Sequence, residues 1–129
     1  MADTIQRRVK AAVEAALDKK TFDLDVLSVA KLTSIADYFI LCSASNERQT
    51  KAIADAIETR LREEHKTRAL FVEGTNIGRW ILMDYGDFII HVFTEECRRF
   101  YSLERLWGDA PNSTAEFVPQ AERERQTNR

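Results

Sequence analysis

Apolar positions recur along this chain in two rhythms, one helical and one extended. Ile5, Val9, Ala12, Val13, Ala16 and Leu17 fall at helical spacing behind the capping residue Thr4, which predicts a first helix to about Lys19 or Lys20. Asp23–Val29 reads as a strand and residues 31–37 as a connection. Tyr38–Ala44 is an unbroken apolar run, the pattern of a strand covered on both faces. Ser45 is expected to cap a long helix to about His65, with Thr50, Ile53, Ala54, Ile57 and Leu61 as its inner stripe. Arg68–Glu73 predicts a third strand ended by Gly74, and Trp80–Asp84 with Asp87–Phe93 a β-hairpin. Thr94 is expected to cap a short helix to about Tyr101, followed by one more helical turn through Trp107.

This order predicts an α/β (α+β) sandwich: a single mixed sheet of about five strands with helices mainly on one face. After Gly108 the periodicity is lost. Residues 1–111 are expected to form the domain, and residues 112–129 a mobile polar tail.

The hairpin carries the most information. With Tyr85-Gly86 as a two-residue loop, Asp84 faces Asp87, Met83 faces Phe88 and Trp80 faces His91. Alternation then puts Ile81, Met83, Phe88, Ile90 and Val92 on one wholly apolar face, which should meet the helices. The other face holds Trp80, Leu82, Ile89, His91 and Phe93, with Asp84 and Asp87 at its tip. With helices on one side only, this second face is a partly apolar surface on show, a common mark of a contact site. The alternatives are that Trp80 packs under the first helix or the tail, and that the aspartates serve as ordinary turn residues.

Composition narrows the function classes. Within 129 residues, 19 Lys and Arg are set against 21 Asp and Glu, too even a balance for a broad nucleic-acid grip. No apolar run approaches the ~20 residues of a membrane span, and the first residues lack the features of a signal or import leader. Cys42 and Cys97 sit inside apolar or helical patterns and read as reduced packing residues, which suits a cytoplasmic location.

Reaction chemistry finds little support. Asp23-Leu-Asp25 has the D-x-D form of metal-dependent nucleotidyltransferases, but no glycine precedes Gly74 to seat a triphosphate. His91 with Glu95 or Cys97 falls short of the four ligands of structural zinc, and neither Cys42 nor Cys97 has an evident orienting group for a Cys–His pair. His65 is accounted for by its place at a helix C-terminus. No phosphate-loop, dinucleotide or nucleophile-elbow motif is present.

Several strings, in order, resemble the ribosomal silencing factor family, also called Iojap-like, over roughly residues 5–108. They are Asp37-Tyr-Phe, Ser45 with Arg48-Gln49, Ala52-Ile-Ala-Asp55, Glu73-Gly74, Trp80, Asp84-Tyr-Gly-Asp87, His91-Val-Phe93, and Phe100-Tyr101 with Leu103-Glu104 and Leu106-Trp107. The resemblance implies a nucleotidyltransferase-like fold without the catalytic glycine loop, and a cytoplasmic, non-enzymatic factor with no cofactor or metal. It implies binding to the large ribosomal subunit through ribosomal protein fourteen at the subunit interface. Joining of the small subunit would be blocked and translation lowered under nutrient limitation. It also implies a homodimer when free, with no direct DNA or membrane binding. Carried over by residue, the docking surface comprises Trp80, Asp84, Tyr85, Asp87 and His91, with Glu73 and Tyr101 beside them. Ala44, the glycine-free 65–68 connection and Arg79 depart from the family pattern. Two alternatives remain: a large-subunit assembly factor using the same docking site, and a nucleotidyltransferase using Asp23 and Asp25.

Overall fold

The computed structural model describes residues 4–101, 105, 108 and 110–127, without the side chains of Tyr101 and residues 124–127. The helix α1 (Ile5–Asp18) is capped by Thr4, whose hydroxyl accepts from the Arg7 amide at 3.1 Å. Strands β1 (Phe22–Ser28) and β2 (Tyr38–Ala44) follow, then α2 (Glu47–His65), β3 (Phe71–Glu73), β4 (Trp80–Asp84), β5 (Phe88–Thr94) and α3 (Glu95–Tyr101). The strands form one sheet in the order β1-β2-β5-β4-β3, with β2 and β5 parallel and every other pair antiparallel.

The inner stripe of α2 is buried as its periodicity predicts. With α1 it covers the face carrying Leu24, Val26, Ile40, Cys42, Ile81, Met83, Phe88, Ile90 and Val92. The unbroken run of β2 is explained by cover on both sides, since Phe39 and Leu41 join a second cluster with Leu27, Val29, Ala36, Ile89, Phe93 and Cys97. That second cluster corrects the expectation of a bare second face. The β1–β2 connection and the start of α3 bury its β2–β5 half.

Four further expectations are corrected. The cap of α2 is Asn46, whose side chain accepts from the Gln49 amide at 2.9 Å, and not Ser45. The strand predicted from Arg68 begins at Phe71, because the chain first has to leave α2 through Lys66 in the left-handed region and reach the sheet edge. The hairpin pairs Asp84 with Ile89 and Trp80 with Phe93. Tyr85 donates to the Phe88 carbonyl at 3.0 Å, so the two loop residues are Gly86 and Asp87, with Gly86 at φ +86°. The register slips by two residues, which leaves the side chains of β4 and β5 on their expected faces and moves Asp87 into the loop.

The segment expected to be a mobile tail is packed. Ser28 donates to the Pro111 carbonyl and Ser113 to that of Val26, so residues 111–113 line the outer edge of β1. A short helix, α4 (Thr114–Phe117), then seats Phe117 and Val118 against the α1-side core, with Phe117 edge-on to Tyr38 at 5.6 Å. A polar helix, α5 (Gln120–Thr127), ends the described chain. The predicted helical turn through Trp107 lies outside the described residues.

Candidate functional site

Trp80 opens β4 and is half-buried. Its position is fixed from three directions. Gly74, at φ +90°, approaches so closely that a Cβ there would lie 2.0 Å from the Trp80 carbonyl oxygen. Thr50 on α2 donates to the Gly78 carbonyl at 2.5 Å, tying the 74–78 turn to the helix. Beneath the indole, Nε1–H donates to His91 Nδ1 at 3.1 Å, and the Phe93 ring lies 5.4 Å away.

His91 is therefore a buried support. Its Nδ1 accepts, so the neutral ring carries its proton on Nε2, which is buried and has no hydrogen-bond partner among the described residues. Burial pushes its pKa down to about 4. Phe39 packs edge-on to it at 5.3 Å.

The aspartates expected to oppose each other do not. Asp84 Oδ1 accepts from the Gly86 amide at 2.7 Å, the local turn role. Asp87 pairs with Arg8 of α1 at 2.6 Å, and the Arg8 guanidinium lies 5.6 Å from the Phe88 ring centroid. Tyr85, expected on the docking surface, is only 6 % exposed and stacks on Phe88 at 5.2 Å. Its hydroxyl is buried with no partner among the described residues, and burial pushes its pKa up to about 12.

The residues singled out in the sequence thus divide between two faces. Tyr85 and Asp87 turn toward the helices. Trp80 and Asp84 share the opposite face with Glu73, which pairs in register with Leu82. The uncovered part of that face is a strip of Phe71, Glu73, Trp80, Leu82 and Asp84, all half-buried or exposed. Phe71 was missed in the sequence reading, although alternation along β3 pairs it with Asp84 and was the available signal. The side chain of Tyr101 lies outside the description.

The D-x-D pair is not set up as a metal site. A bulge at Asp23, φ +48°, breaks the alternation before Asp25, whose carboxylate pairs with Arg98 at 2.7 Å. Among the described residues, no group of three or more His, Cys, Asp or Glu is placed to hold a metal, and no helix is long and apolar enough to cross a membrane.

An open five-stranded mixed sheet, with its helices packed chiefly on one face and an aromatic and acidic strip on the other, defines a small α+β protein. Comparison with known proteins makes this specific. Residues 2–129 match the model of the family described as ribosomal silencing factor during starvation, and the chain belongs to that family. It is 37% identical to the ribosomal silencing factor of Bacillus subtilis over 109 residues, 84% of this chain and 92% of that protein. It is 32% identical to the chloroplastic Iojap protein of Zea mays, over 75% of this chain and 42% of that longer protein. A crystal structure of a Chromobacterium violaceum protein superposes with a TM-score of 0.79 at 36% identity, covering 82% of this chain and 88% of that one. One from Bacillus halodurans gives 0.72 at 33% identity, covering 79% and 94%.

Proposed function

We propose that the protein docks on the large ribosomal subunit, through ribosomal protein fourteen at the subunit interface, and works there as an obstacle. Its bulk blocks joining of the small subunit and so lowers translation when nutrients are short. It acts in the cytoplasm, without catalysis, and pairs as a homodimer when free. Membership of the silencing-factor family gives the reading its ribosomal partner.

The observation that carries the docking surface is the strip beside Trp80. Trp80 offers a half-exposed aromatic whose lower face is already held by His91 and Phe93, so little freedom is lost on contact. Leu82 and Phe71 extend the apolar area, and Glu73 and Asp84 supply acceptors for basic groups. Asp87 belongs to the rim, His91 supports the indole, and Tyr85 takes no part in the contact. Co-sedimentation with purified large subunits tests this reading. Trp80→Ala should weaken binding by about 2 kcal/mol, roughly 30-fold, and Asp84→Ala by less, while both keep the wild-type circular dichroism spectrum. Variants that fold and co-sediment like wild type would remove the strip as the docking surface.

A further inference from the structure

The two parallel strands at the centre of the sheet end side by side, at Ala44 and Thr94. From there the chain departs to opposite faces. After β2 it enters α2, which packs on the Ile40–Cys42 face, and after β5 it enters α3, whose Cys97 packs with Phe39 and Leu41. Adjacent parallel strands whose connections diverge leave a crevice beyond their carboxyl ends, where open α/β sheets bind ligands. Here that crevice has a volume of about 540 Å³, and Glu47, Arg79, Trp80, Glu96, Cys97 and Phe100 are among its lining residues.

The lining selects a ligand chemistry. Trp80 and Phe100 bring aromatic rings, and Phe100 is 80 % exposed. Glu47 and Glu96 bring two carboxylates against one guanidinium, that of Arg79. A phosphate would meet net negative charge here, despite the α2 N-terminus at the crevice wall. A purely apolar group would strip water from the carboxylates without replacing its hydrogen bonds. A guanidinium satisfies both features, stacking on aromatic rings while donating to a carboxylate. Arg79 already lies across part of the opening, its Nε 3.9 Å from Glu47 and its side chain 74 % exposed. Glu96 is exposed, with no ion pair among the described residues.

We infer that the crevice receives an arginine side chain presented by a partner protein, with its guanidinium between Trp80 and Phe100 and bonded to Glu96. Arg79 is the intramolecular competitor that this side chain displaces from Glu47. The inference deepens the docking reading and rests on it, since Trp80 belongs to both, and it names the partner's anchoring chemistry.

A titration of the full chain with acetyl-Gly-Arg-Gly-amide tests the crevice without a ribosome. NMR follows the Trp80 indole N–H, and the neutral citrulline peptide serves as control. The arginine peptide should give a saturable shift at millimolar concentration and the citrulline peptide none. Glu96→Gln should weaken binding about 3- to 10-fold, and Arg79→Ala should tighten it about 3-fold. Co-sedimentation with large subunits should move in the same directions for the same two variants. No saturable shift, an equal response to citrulline, or indifference to both substitutions would overturn the crevice while leaving docking through the strip intact. Peptide binding by a protein that ignores large subunits would keep the crevice and remove the ribosomal partner.

Discussion

Arg98 is the most heavily committed charged side chain in the described structure. It is 7 % exposed, and its guanidinium donates to Asp25 Oδ2 at 2.7 Å, Ser43 Oγ at 2.7 Å and the Asp23 carbonyl at 2.5 Å. These bonds pin α3, one wall of the crevice, to β1 and β2. Asp25 also lies near the chain that follows the domain, with Asn112 at 3.4 Å and Thr114 Oγ1 at 3.5 Å. Replacing Arg98 by Met keeps most of the aliphatic volume and removes every donor. Breaking a buried pair by deleting one partner typically costs about 3–5 kcal/mol. The Asp25 side chain is 31 % exposed and regains some hydration, so the lower end applies, about 3 kcal/mol. For a chain of this length that corresponds to a fall in Tm of about 10 °C. Asp25→Asn keeps an acceptor and should cost only about 1 kcal/mol. The double substitution should cost less than the sum, because each change removes the same bond. Urea unfolding followed by circular dichroism measures all three. An Arg98→Met protein within ~1 kcal/mol of wild type would refute the clamp.

Three further outcomes follow from the same geometry. Because burial lowers the pKa of His91 from 6.5 to about 4, the unfolded chain takes up a proton that the folded one refuses as pH falls below 6.5. Stability from this group is complete above pH 6.5 and is lost down to about pH 4, so wild type should lose about 2 kcal/mol more than His91→Gln between pH 7 and 5, read by urea unfolding at each pH. Gly74→Ala should destabilise by at least about 2 kcal/mol and weaken large-subunit binding, since its Cβ would displace the Trp80 backbone. Phe117→Ala should cost about 3 kcal/mol by thermal or chemical unfolding, because Phe117 is 5 % exposed and fills the α1-side core; an unchanged midpoint would restore the mobile tail.

Much of this architecture is legible in the sequence because the strongest signals are local. The stripe of α2 and the unbroken run of β2 each state their burial in consecutive residues, and β2 begins and ends where the apolar run does. The hairpin register was misread because Gly86 serves as the first loop residue, a choice that depends on which backbone pairs close across the sheet. The even slip preserved the assignment of faces within the two strands. The fates of Tyr85 and Asp87 were not legible, since Arg8 and the wall of α2 reach them from far along the chain. The tail concealed its packing for the same reason. Two apolar residues, Phe117 and Val118, in a polar stretch give no periodic signal, and the segment's partners lie far back along the chain, Val26 of β1 for Thr114 and Tyr38 of β2 for Phe117. The crevice is a property of topology: strands β2 and β5 are distant in sequence, and only their parallel pairing brings Glu47 and Glu96 to one opening.

The account stands on obstruction at the subunit interface by a surface centred on Trp80. Light scattering from purified small and large subunits, mixed with a saturating amount of the protein, measures obstruction directly. Wild-type protein should suppress the rise in scattering that marks joining, and Trp80→Ala should let it return. Undiminished joining while the protein sits fully bound to the large subunit would contradict the account.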